Sequence, residues 1–150
     1  MRNILIATTA ALSLGAGAAL AESHGSDIAT VYDFEGDFGD ATFAVENAIV
    51  GAGLVIDSVS HTGDMLARTG LDVGSEVTIF DGADIYSFCS AIVSREVMEA
   101  NPMNVAFCPY NIFVTDRDGQ VQIGYRNFPE GEMQKVQSLL DGIVQDAIGD

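Results

Sequence analysis

The chain has 150 residues, with 22 acidic side chains against 6 basic ones and a formal charge of −16 at neutral pH. A surface so negative repels phosphate backbones and anionic lipid, which excludes nucleic acid and membrane surfaces as partners. The acids are scattered, so their first use is solubility, although they also favour cationic partners and metal ions.

Residues 1–21 read as a signal peptide. Arg2 supplies the positive start, an uncharged run follows from Ile4 to Leu20, and Ala19-Leu20-Ala21 forms a small-x-small cleavage site before the polar Glu22. A retained membrane anchor is disfavoured, because the run is near the minimum spanning length and a cleavage site follows at once. No cysteine stands at the cleavage site, which speaks against a lipid anchor. No later segment is long and apolar enough to span a bilayer, so no membrane insertion is expected after cleavage. The expected location is periplasmic or secreted. Cleavage leaves 129 residues and removes Arg2 but no acid, so the charge becomes −17. That length suits one domain with its own core. Residues 22–30 read as an N-terminal tail, and 31–150 as a single α+β domain.

The elements follow in order. Ile28 to Phe34 alternates and is rich in β-branched and aromatic residues, a first strand that overlaps the end of the tail. Asp40 is placed to cap a helix over Ala41–Ala52, where Ala41, Ala44, Val45, Ala48 and Ile49 recur at helical spacing. Leu54 to His61 reads as a second strand, Asp64 to Arg68 as a short helical turn, and Val77 to Phe80 as a third strand. Asp84 then caps the clearest helix, with Ile85, Phe88, Cys89, Ile92, Val93, Val97 and Ala100 on one stripe and Asn101-Pro102 as its stop. Asn111–Asp116 and Gln120–Arg126 flank Arg117-Asp118-Gly119, a hairpin signal. Met133, Val136, Leu139, Leu140, Ile143, Val144 and Ile148 define a C-terminal helix. A terminal hairpin argues against a fully parallel sheet, so the fold class is α+β, a largely antiparallel sheet with helices on one face.

This arrangement resembles the domain of unknown function 302 family over roughly residues 40–148. The resemblance is carried by Gly53-Leu54-Val55-Ile56-Asp57, Val77-Thr78-Ile79-Phe80-Asp81-Gly82, Met98-Glu99-Ala100-Asn101-Pro102, Asn111-Ile112-Phe113-Val114 and Gln122-Ile123-Gly124-Tyr125-Arg126. It implies a curved, largely antiparallel sheet cradling two main helices, and no established activity. The cysteines Cys89 and Cys108 depart from the family's usual pattern, so what they do belongs to this chain.

Cys89 and Cys108 are the only cysteines, and an even count in an exported protein points to a disulfide. The alternative is a pair of buried free thiols. The spacing is neither C-x-x-C nor C-x-x-C-H, so no thioredoxin-type or haem-attachment motif is present. A soft-metal site for copper is a second reading, with Cys89, Cys108, Met98, Met103 and His61 as ligands, since thiolate, thioether and imidazole select Cu(I). A bridge and a thiolate site exclude each other at one time, although redox state can alternate them. His61 is the best residue for acid–base work, with Asp57, Asp64 and Arg68 near in sequence to orient it. Ser58 and Ser60 show no nucleophile-elbow motif, so the enzyme reading is weak. Gly51-Ala52-Gly53 follows a helix, the reverse of a dinucleotide fingerprint.

The leading expectation is a non-enzymatic exported domain that binds a small ligand, a metal or a protein partner. Its concave face would be lined by His61, Tyr110, Phe113 and Tyr125. The alternatives are a redox or copper-handling protein centred on Cys89 and Cys108, and a homodimeric interaction module.

Overall fold

A two-residue turn fixes the register of the sheet's centre. Asp118 and Gly119 have φ of 56° and 79°, the left-handed pair that a type I′ hairpin requires. In the computed structural model, which describes residues 23–149, this turn joins β5 (Tyr110–Arg117) to β6 (Gln120–Arg126). The strands before them are β1 (Ser23–Gly25), β2 (Ala29–Asp33), β3 (Ile56–His61) and β4 (Gly82–Phe88). All six form one antiparallel sheet in the order β1-β2-β6-β5-β4-β3. A bulge between Ile56 and Ser58 interrupts the outer strand β3.

Strand alternation sends Tyr86 and Phe88 from β4, Tyr110, Ile112 and Val114 from β5, and Val121, Ile123 and Tyr125 from β6 into the core. Helix α1 (Phe38–Gly51) covers them with Ala41, Val45 and Ile49, a four-residue repeat on one face. The C-terminal helix, Gln134–Gly149, adds Val136, Leu140, Ile143, Val144 and Ala147. The α+β expectation holds, with these two long helices packed together over the sheet. No helix among the described residues is long and apolar enough to cross a membrane. The signal-peptide reading of residues 1–21 lies outside the described residues.

Several boundaries differ from expectation. Ser23–Gly25 pairs with β2 rather than forming a tail, and Ala29 and Thr30 are already in β2. Helix α1 starts at Phe38 because Asp37, not Asp40, caps it; the Asp37 carboxylate accepts from the Asp40 amide at 2.8 Å. The short turn at Asp64–Arg68 is part of a full helix, α2 (Thr62–Val73), stopped by Gly74 at φ 71°. Val77–Phe80 is not a strand but part of an irregular segment.

The largest correction concerns residues 85–100. Ile85 to Phe88 belongs to β4, and the helix there, α3 (Ala91–Ala100), begins only after Ser90, whose hydroxyl caps it. Tyr86 and Phe88 alternate into the core at a period of two, although Ile85, Phe88, Cys89 and Ile92 also fit a period of 3.6. Strand pairing wins because β4 is hydrogen-bonded on both sides, by β3 and β5. After α3, a 3₁₀ segment (Pro102–Phe107) returns the chain to β5. The C-terminal helix is therefore α4.

Candidate functional site

The two cysteines sit at one neck of the fold. Phe88 ends β4 directly opposite Tyr110 at the start of β5. Cys89 follows Phe88, and Cys108 precedes Tyr110 by two residues. Their sulfurs, both half-buried free thiols, lie 2.8 Å apart. Burial, then the neighbouring Cys108 thiol, pushes the Cys89 thiol up to about 11. Cys89 is therefore almost wholly protonated at neutral pH and a slow nucleophile.

His61, also proposed for a copper site, is not gathered with this pair. His61 ends β3, while it is Ile56, at the strand's other end, that pairs with Phe88. Five strand residues put His61 about 16 Å from that end. Met98 packs half-buried against the core, and Met103 stands 70% exposed on the 3₁₀ segment. Among the described residues, no three His, Cys, Asp or Glu side chains come together to hold a metal.

His61 has a partner that sequence reasoning missed. Its Nδ1 lies 2.8 Å from the Asp84 carboxylate, the residue directly opposite on β4. That hydrogen bond, then the Asp84 charge, raises the imidazole above its ordinary value. Asp57, Asp64 and Arg68 were the expected orienting groups. Asp84 went unseen because it read as a helix cap, and only its correct strand placement sets it across from His61.

The expected ligand face of His61, Tyr110, Phe113 and Tyr125 does not assemble. Tyr110 and Tyr125 point to the helices and are buried. The Tyr110 hydroxyl accepts from Ser94 at 3.0 Å. Phe113 lies on the opposite face, its ring over Gly124, where an added Cβ would come within 2.5 Å of the ring. Tyr125 instead joins Tyr32: both hydroxyls donate to Asp141 Oδ1, at 2.7 and 2.6 Å. Burial first, then Asp141, raises both phenols. They act as donors that fasten α4 to the sheet, and the shallow groove above them is lined by Thr30, Gln134, Gln137 and Ser138.

A different concavity has the character of a ligand site. Leu66, Ala67, Gly70 and Leu71 fall on one face of α2 and look across at Val77, Ile79 and Phe80. Between them is a hollow of about 290 Å³. Gly63 brings α2 close to β4: an added Cβ would lie 2.7 Å from the Ala83 nitrogen. Gly74 then turns the chain back so that 75–80 forms the opposite wall. Leu71, Val77 and Ile79 remain 82%, 73% and 47% exposed. Reading Val77–Phe80 as a strand hid this wall. The signal available was the Gly74 stop after an amphipathic helix.

An α+β domain with a six-stranded antiparallel sheet and two covering helices is thus the class the fold defines. The sequence matches the family described as Domain of unknown function DUF302 over residues 30–146, and the chain belongs to that family. Among solved structures it is similar to the crystal structure of an uncharacterized conserved DUF302 protein from Bacillus stearothermophilus. The TM-score is 0.57 at 14% identity, covering 81% of this chain and 92% of that one. That likeness is one of fold. No curated protein matches the sequence.

Proposed function

We propose that this DUF302 chain is an exported, non-enzymatic binding domain. Its ligand is a small amphiphile with an apolar body and a cationic head, seated in the hollow between α2 and residues 75–80. The observation that carries this reading is the exposure of Leu71, Val77 and Ile79 around one concavity, at 82%, 73% and 47%. Apolar side chains gathered round a hollow mark a binding surface, whereas scattered ones need no explanation. The volume is at the small end for a ligand pocket. Glu76 stands on the wall of the hollow and Asp72 beside Leu71. The whole chain carries −16, so a cationic head is drawn in and an anionic one repelled. Export rests on the Arg2, Ile4–Leu20 and Ala19-Leu20-Ala21 pattern.

Titration calorimetry with decyltrimethylammonium and decanoate, each below micelle formation, tests the site. The cation is expected to bind, and Leu71→Asp and Val77→Asp to weaken it about tenfold or more, the worth of one buried aliphatic side chain. Equal binding by wild type and both variants, or none by any, removes the hollow as the seat. Equal affinity for decanoate removes the cationic head.

A further inference from the structure

We propose that Cys89 and Cys108 are an oxidisable pair that closes an intramolecular disulfide and clasps the neck of the β4–β5 connection. Three observations carry it. The sulfurs are 2.8 Å apart, so a small rotation of either side chain reaches the about 2.05 Å of a bond. The nearby residues Phe88 and Tyr110 are directly opposite in the sheet, which keeps the two chain segments that carry the cysteines side by side. The chain has only these two cysteines, so neither has an intramolecular competitor.

The segment the bridge would close is braced from within. Ser90 caps α3 through the Val93 amide at 3.4 Å, and Asn101 caps the 3₁₀ segment through the Met103 amide at 3.0 Å. The Asn104 side chain donates to the Val97 carbonyl at 2.8 Å, tying the two together. Reduced, this excursion is joined to the sheet covalently only at its two strand ends, although Val97 is buried in the core and Glu96 pairs with Lys135 of α4. Oxidised, those ends are joined covalently.

The oxidant is a disulfide of a small molecule or protein. One cysteine thiolate attacks it, forming a mixed disulfide and releasing one thiol of the oxidant. The second cysteine then attacks the mixed disulfide and expels the other thiol. Two protons and two electrons leave the chain, and the oxidant becomes two thiols.

The test uses the purified chain, reduced, freed of reductant and incubated with oxidised glutathione before alkylation. The expected product is monomeric, lighter by two hydrogens, unalkylated, and yields one linked peptide pair containing Cys89 and Cys108. Hydrogen exchange over residues 91–107 is expected to be about tenfold slower than in the reduced chain. Cys89→Ser and Cys108→Ser should each leave the remaining thiol alkylatable or glutathionylated. The proposal is overturned if both wild-type thiols still alkylate, if only glutathione adducts or inter-chain bridges form, or if exchange over 91–107 is unchanged.

Discussion

At the scale of single residues, the contacts that matter are carboxylates accepting from rings. Asp84 faces the exposed imidazole of His61 and lifts it above its ordinary 6.5. A histidine raised on folding adds stability that is complete below the unfolded value and lost as pH climbs through the folded one. The His61 titration followed by NMR is therefore expected to have a midpoint above 6.5 that falls back in Asp84→Asn. A midpoint indifferent to that substitution denies the pairing. Asp141 is the more consequential carboxylate, because one oxygen accepts from both Tyr32 and Tyr125. Asp141→Ala would leave the buried Tyr125 hydroxyl without its acceptor. Hydrogen bonds to a charged group carry enough that urea unfolding should show a loss of about 3 kcal/mol, against about 1 kcal/mol for Asp141→Asn. Equal, small losses for both variants would mean the phenols find other partners.

At the scale of elements, the legible parts were those whose local chemistry admits one answer. Arg117-Asp118-Gly119 announced the hairpin because only a two-residue left-handed turn suits Asp-Gly between alternating strands. Helix α4 was legible because Val136, Leu140, Ile143, Val144 and Ala147 keep one face for about three turns. Residues 85–100 misled because Ile85, Phe88, Cys89 and Ile92 fit a helical stripe as well as a strand running into a helix. Pairing with β3 and β5, remote in sequence, decided between them. The same misreading lost Asp84 as the partner of His61, and a separate one, Val77–Phe80 as a strand, hid the wall of the hollow. Cys89 and Cys108, by contrast, were legible as a pair from their count alone. The boundary at Ser90 is testable. Ser90→Ala should cost about 1 kcal/mol, the usual worth of a helix cap, and Asp84→Ala should leave the circular-dichroism helix signal intact. Loss of helix signal on Asp84→Ala would restore the longer helix.

At the scale of the whole molecule, the four tyrosines, Tyr32, Tyr86, Tyr110 and Tyr125, are all buried. Burial is the first cause that raises each phenol above its ordinary value, Tyr86 to about 12. A phenol raised on folding releases its proton more readily when unfolded, so each adds stability that is full below pH 10 and falls as pH rises past it. Every tyrosinate formed would also add to the charge of −16. Ultraviolet titration should therefore show little tyrosinate until the chain unfolds, with ionisation and loss of circular dichroism in one step. Stepwise ionisation of a folded chain would contradict the buried placement.

The kink in β3 between Ile56 and Ser58 has a consequence for the molecule among its neighbours. An outermost strand with an unbroken ladder invites a neighbouring chain to dock and the sheet to grow. Here the ladder is out of step where such a chain would begin to zip, and the exposed Asp57 carboxylate stands at the break. That flank thus ends in something too irregular to copy, which guards the protein against fibrous accretion there.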